Sequence, residues 1–405
     1  MKKKDIKILR KRKQRLQKRL ERQQWSEQLE PMFRAQNIHY EMADRVRAID
    51  SGGIGAFHML AKNSGLVEAI NKKVYLLKRH LPYHESDHVL NITYNTLTGG
   101  TCLDDIELRR NDETYMDALG ADRIPDPTTA GDFTRRFSEE DVGELMEAIN
   151  AIRPQMWKKQ LSRSERAEAL IDVDGTLAPS TGECKEGIGV SYNGVWGYHP
   201  LMISLANTLE PLYLVNRSGN SPSHKGAVAW IDRAVALVRK SFKGVCLRGD
   251  TDFALTKNFD RWTADGVRFA FGMDAKQNLV KRAESLDKGC WHALKRRKKR
   301  PESKEKRKSP VNIKEQIVVE REYRNIKLER EDVAEFSYQP SRCKGTYRVI
   351  VLRKTLSVEK GQLLLWKDIR YFFYITNIKE LSPAEVVYLC NDRCNQENLI
   401  EQLKN

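Results

Sequence analysis

At 405 residues the chain is long enough for two or three domains with their own cores, and 71 Lys and Arg against 55 Asp and Glu give a net charge of +16. That balance favours an acidic partner, nucleic acid before a membrane surface: no apolar run nears the length of a membrane span, and the N-terminus lacks a signal peptide's apolar core. The seven cysteines are scattered, odd in number and free of any CxxC pair, which argues against a disulfide framework or a zinc ribbon and for reduced thiols in a cytoplasm.

Residues 1 to 24 form a basic tail in which twelve Lys or Arg face only Asp5 and Glu21. Ile6, Leu9, Leu16 and Leu20 leave a thin apolar stripe, so the segment reads either as a helix that forms on DNA or as a solvated arm. Residues 25 to 160 read as mostly helical. Gly52-Gly53-Ile54-Gly55 has no preceding strand and no third spaced glycine, so it is a poor phosphate loop. His80, His84 and His88 recur four apart, as do Cys390 and Cys394, yet Pro82 breaks the histidine series and neither group has a second ligand pair. Pro125-Asp126-Pro127-Thr128-Thr129 predicts a chain stop followed by a helix capped by a threonine. Arg135 and Arg136 follow as candidates for DNA contact, with an ordinary capped surface helix as the plain alternative.

From about residue 165 the pattern changes to strands and helices in alternation. Apolar runs at 169–173, 201–205, 212–215, 245–247 and 267–271 predict strands, and 227–238 and 277–283 predict helices, which together suggest a mixed α/β sheet. Ten Lys or Arg in the fourteen positions 295–308 read as an exposed loop. Beyond it, 317–319, 347–352 and 370–375 predict strands, so 287 to 368 reads as a β-rich insertion. Ser382-Pro383-Ala384-Glu385 is a good helix start, with proline at the first helical position.

Three acids stand out against this background. Asp174 closes the run from Ala169 to Val173, Asp250 follows Val245 to Gly249, and Glu397 sits in a helical stretch with Arg393 four residues before it and Lys404 seven after. Carboxylates at two strand ends and on a later helix can converge to hold two divalent ions, which clamp the attacking and leaving oxygens of a phosphoryl displacement. Asp172 shares a strand face with Asp174 and is a further possible member of the site.

The stretches Asp172-Val173-Asp174-Gly175-Thr176, Gly197-Tyr198-His199-Pro200-Leu201, Arg217-Ser218-Gly219-Asn220 and Arg248-Gly249-Asp250 carry a family resemblance, supported upstream by 99–106 and 127–129. From about residue 85 onward the chain resembles bacterial insertion-sequence transposases of the DDE type, most closely the thirteen-eighty family within the IS-four-like group. The resemblance implies an RNase H-like mixed sheet interrupted by a β-rich insertion, with Asp174, Asp250 and Glu397 as catalytic metal ligands for two Mg²⁺, Mn²⁺ substituting. It implies a cytoplasmic, nucleoid-associated bacterial enzyme that cuts the ends of a mobile element and joins them to target DNA, as a homodimer on double-stranded DNA. Arg393, Glu397 and Lys404 match the spacing of that group's Tyr-Arg-Glu-Lys signature, which implies Arg393 and Lys404 as DNA contacts, while Cys390 stands at its tyrosine. The expected organisation is a basic tail (1–24), a helical DNA-binding region (25–160), a catalytic core (161–286), the insertion (287–368) and a last core segment (369–405). Relatives continue beyond the position of Lys404, so Glu397 is expected to be loosely held and cleavage weak.

Two other readings compete. Asp172-Val173-Asp174-Gly175-Thr176-Leu177 also fits a haloacid-dehalogenase-like phosphatase, with Asp172 as nucleophile and Asp174 as general acid/base. The basic tail and loop would then be idle and Glu397 unexplained. A truncated transposase that only binds DNA is the other.

Overall fold

The computed structural model describes residues 3–21, 30–33, 51–182, 185–295, 324–360 and 363–404. They fall into two compact units, Met1–Gln160 and Leu161–Asn405. No helix among the described residues is long and apolar enough to cross a membrane.

The first unit is helical: α1 (Lys3–Leu20), α2 (Ile54–Asn63), α3 (Leu66–Lys73), α4 (Glu85–Leu97), α5 (Ile106–Arg110), α6 (Glu113–Leu119), α7 (Pro127–Thr134) and α8 (Glu139–Gln160). The basic tail is neither a bare arm nor a free helix here. Leu16 of α1 is buried in a core cluster with Met116, Leu119 and Ile124, while Arg12 and Lys13 pair with Asp112 and Glu107 at 3.2 and 2.7 Å. Those exposed pairs add little stability, so the leucine is the anchor. Residues 30–33 are tied down by Asp87, whose buried carboxylate accepts from the backbone N–H groups of Met32, Phe33 and His84. At α7 the cap is Asp126 and not a threonine: its carboxylate accepts from Thr129 N (3.0 Å) and Thr129 Oγ1 (2.8 Å), with Pro127 at the first helical position.

His88 of α4 lies buried with its ring stacked on Phe133 at 4.3 Å, and burial pulls its pKa from 6.5 down to about 4. The fold therefore excludes a proton that the unfolded chain accepts, so this stability is present above pH 6.5 and is lost as pH falls towards 4. Relative to a His88→Phe variant, the wild type is expected to lose about 3 kcal/mol of unfolding free energy between pH 7 and pH 4. Denaturant titrations at both pH values check this, and parallel pH trends in the two proteins would refute it.

The second unit is a mixed α/β structure. Its strands are β1 (Glu168–Gly175), β2 (Ala178–Pro179), β3 (Gly189–Val190), β4 (Trp196–Tyr198), β5 (Leu201–Leu205), β6 (Glu210–Val215), β7 (Gly244–Gly249), β8 (Val267–Met273), β9 (His292–Ala293), β10 (Arg324–Tyr338), β11 (Tyr347–Lys360) and β12 (Leu363–Thr376). Its helices are α9 (Ala227–Val238), α10 (Phe259–Ala264), α11 (Gln277–Glu284), α12 (Pro383–Asn391) and α13 (Cys394–Lys404). Nine strands form one sheet in the order β6-β5-β1-β7-β8-β12-β11-β10-β9, and β2-β4-β3 form a small second sheet. β1 pairs antiparallel with β5 and parallel with β7, and β7 pairs parallel with β8. Ala169, Ile171 and Val173 of β1 are fully buried, as a strand flanked on both sides and covered by α9 requires. Ser382 caps α12 as its sequence foretells, in a capping box with Glu385.

The stretch 287–368 supplies β9, β10, β11 and part of β12, which continue the main sheet. β12 meets β8 antiparallel, with Phe373 opposite Met273 and Thr376 opposite Ala270. The basic run beyond Lys295 and the strand expected at 317–319 lie outside the described residues.

Candidate active site

The parallel register of β1 and β7 decides which acids meet. Asp172 stands opposite Arg248 and Val173 opposite Gly249, so Asp174 and Asp250 emerge at the same end of adjacent strands. Asp172 is buried in an ion pair. Both its oxygens accept from Arg248, from Nε at 2.6 Å and Nη2 at 2.7 Å, and the pair is 2–3 % exposed. Burial alone would lower the Arg248 pKa, but the Asp172 carboxylate outweighs it and holds the guanidinium above its ordinary value. A nucleophile must reach its substrate, and this carboxylate is 2 % exposed and paired through both oxygens with a guanidinium.

Asp174 lies half-buried one step further along the strand. Its Oδ1 accepts from Gly175 N at 2.8 Å and its Oδ2 from Arg393 Nη2 at 3.3 Å. Burial pushes its pKa up to about 6; the Arg393 charge opposes this, and the carboxylates of Asp250 and Glu397 add to it. Asp250 caps the 3₁₀ turn Thr251–Phe253, accepting from Asp252 N at 3.0 Å, and burial raises its pKa too. Glu397 is exposed on the first turn of α13. The helix expected to carry Arg393 and Glu397 together is broken: α12 ends at Asn391, and Arg393 lies in the turn before α13. From that turn it reaches Asp174, which a position on one continuous outward face would not guarantee. Lys404 ends α13, and its side chain lies outside the described residues. Cys390 is buried on α12 within a core cluster containing Val386 and Val387, and burial raises its thiol pKa.

His199 and Arg217 complete the surroundings, and the sequence signals neither of them beyond their place in the motif stretches. Those stretches hydrogen-bond to each other, His199 N to Arg217 O at 2.8 Å and Gly219 N to Gly197 O at 3.2 Å. The approach demands glycine, since a Cβ on Gly219 would stand 2.4 Å from Gly189 O and 2.6 Å from Gly197 O. Gly175, next to Asp174, is less tightly constrained: a Cβ there would lie 2.9 Å from the side-chain atom His199 Nε2. Arg217 clamps the following loop by donating from Nη1 to the carbonyls of Ser223 (2.7 Å) and Lys225 (2.9 Å), and from Nε to that of His199 (3.0 Å).

The remaining candidates sit in the first unit. Arg135 and Arg136 are exposed at the end of α7; Arg135 pairs with Asp132 at 2.6 Å, and Arg136 lines a groove with Lys78, Arg79, Tyr83 and Phe133. His80, His84 and Glu85 are the one trio of potential metal ligands within 4.8 Å of each other among the described residues. The two imidazoles, however, stack at 4.0 Å with planes 9° apart. An ion in the plane of one ring would lie far out of the plane of the other, so the trio does not suit a metal. His88 is turned away onto Phe133. Cys102, Cys246, Cys290, Cys343 and Cys390 are free thiols.

Asp174, Asp250 and Glu397 suit divalent cations by donor chemistry, and their ligand atoms do not all lie within 4.8 Å of one another in this structure. They offer hard oxygen donors, burial raises the Asp174 pKa with smaller additions from the Asp250 and Glu397 charges, and the Arg393 guanidinium already bonds to Asp174. A family model described as transposase DDE domain group 1 matches residues 43–405. No curated protein matches the chain. Among solved structures the chain is similar to a piggyBac transposase synaptic complex with hairpin DNA, at 10% identity and a TM-score of 0.35, over 89% of this chain and 59% of that one. The chain thus spans less than two thirds of that structure's length.

Proposed function

The chain belongs to the transposase DDE domain group 1 family, and from that premise we propose that it binds the ends of a mobile DNA element, cleaves them and joins them to target DNA. The observation that carries the reading is the convergence of Asp174 and Asp250 at adjacent strand ends, with Arg393 bonded to Asp174 and Glu397 close enough to raise its pKa. Asp174, Asp250 and Glu397 would hold two Mg²⁺ or Mn²⁺. When bound, such ions supply Lewis-acid stabilisation of the charge that develops on the phosphate oxygens. Arg393, within hydrogen-bond reach of Asp174, would be placed to orient a backbone phosphate through its planar guanidinium. Asp172 stays out of the chemistry.

The strand order β6-β5-β1-β7-β8, with antiparallel pairs followed by parallel ones, supports an RNase H-like core. The motif stretches around His199, Arg217 and Asp250 support membership of the thirteen-eighty family. Joining two ends at once calls for two copies of the chain, so a dimer on DNA belongs to the proposal.

The purified chain is expected to cut a duplex taken from the DNA flanking its own coding sequence when Mg²⁺ or Mn²⁺ is present, and to stop when EDTA is added. Cleavage that persists in EDTA, or none under any metal, would refute the reading. For DNA binding, the exposed Lys11 and Arg15 of α1 and the groove of Lys78, Arg79 and Arg136 are the proposed phosphate-binding groups. Deleting residues 1–24 would also strip Leu16 from its core. Lys11→Gln with Arg15→Gln is the cleaner test. Binding should weaken for every sequence, with the log–log salt slope flatter by about 0.9 for each phosphate no longer neutralised. An unchanged slope would mean that α1 does not touch DNA.

A further inference from the structure

Arg248 makes a third bond that a simple ion pair does not need. With Nε and Nη2 committed to Asp172, its Nη1 donates at 3.0 Å to the main-chain carbonyl of Leu389, in the last turn of α12. The last carbonyls of a helix have no partner within it and require another donor when buried. Leu389 is four residues before Arg393, so this carbonyl is the one that would take the Arg393 N–H if α12 ran on. Arg248 occupies it at the point where the chain turns to send Arg393 onto Asp174 and α13 towards the acids. One guanidinium thereby brackets β1, β7 and α12.

We infer that Arg248, held by Asp172, is a positioning residue that fixes the break between α12 and α13 and so sets the distance of Arg393 and Glu397 from Asp174 and Asp250. The inference rests on the reading of those acids as metal ligands given above. Stability alone does not call for charge at this place, because a buried pair replaced by apolar side chains of similar volume is often no less stable. Lysine would not substitute either, since one ammonium on a flexible stem cannot span two carboxylate oxygens and a carbonyl as the guanidinium fork does.

The test compares wild type, Arg248→Lys and the double variant Asp172→Leu/Arg248→Met, all as the full chain. Thermal unfolding, Mn²⁺ binding without DNA followed by electron paramagnetic resonance, and binding and cleavage of the flanking duplex are measured on each. The double variant is expected to melt close to wild type and bind the duplex equally well. Its Mn²⁺ affinity should nonetheless fall roughly ten- to a hundredfold, with cleavage falling in step. Wild-type Mn²⁺ affinity and cleavage in a stably folded double variant would overturn the inference. Should that variant not fold, Arg248→Lys decides: weaker Mn²⁺ binding at unchanged melting supports positioning, whereas unchanged Mn²⁺ binding, or a loss that only tracks melting, overturns it. Failure of the underlying reading would look different, appearing in the wild type itself as Mn²⁺ binding that Asp174→Asn leaves unaltered.

Discussion

Asp174→Asn is expected to reduce metal-dependent cleavage of the flanking duplex by on the order of a thousandfold, since the several kcal/mol of charge stabilisation that bound cations supply goes with the ligand. Asp250→Asn should do the same, because the β1–β7 register brings both acids to the same end of adjacent strands. Asparagine keeps the size of each side chain and, at Asp250, an acceptor for Asp252 N, so folding should survive. Duplex binding should stay within a few-fold of wild type, the proposed phosphate-binding groups on α1 and around Arg136 being untouched. Single-turnover cleavage beside an equilibrium binding assay separates the two effects. Either variant cutting at the wild-type rate would remove that acid from the site.

Asp172→Ala should produce the opposite pattern, a loss of stability first. It leaves the Arg248 guanidinium buried without its carboxylate, a change that typically costs about 3–5 kcal/mol. In a unit of this size that lowers the melting temperature by on the order of 10 °C. At a temperature where the variant remains folded, cleavage should be weakened and not abolished, in contrast to Asp174→Asn. A variant that melts like wild type but has lost all cleavage would reverse the roles of the two aspartates and revive the phosphatase reading.

The parts of this arrangement differ in how openly the sequence displays them. Asp174 and Asp250 are legible because each follows a predicted strand, and although a lone acid at a strand end is common, the motif stretches around these two single them out. The helix 227–238 is equally plain, its apolar spacing matching α9. Arg248 is opaque, since its partner is chosen by which strand lies beside β7, information held by tertiary pairing alone. The interruption at Arg393 is opaque for a related reason. Local spacing favours one continuous helix with Glu397, and the carbonyl that ends α12 is satisfied from a strand 141 positions away. β10 is hidden because Arg330, Glu331 and Asp332 look like solvated loop. In the fold Asp332 is buried between Arg330 at 2.7 Å and Arg353 at 3.1 Å, so charges that signal exposure neutralise one another inside a sheet. In α1 the density of positive charge conceals that Leu16 has a core to enter.

The meeting of β12 with β8 has a practical consequence for anyone trimming this protein. Residues 270–273 have their outer ladder bonds filled by 373–376, so excising the ribbon of β10, β11 and β12 would leave β8 with a row of unsatisfied N–H and C=O groups beside Phe269 and Phe271. Such a margin is a template for another chain, and the shortened protein would be exposed to self-association before any question of catalysis arose. The ribbon thus serves as a sheath for the sheet, whatever else its far end touches.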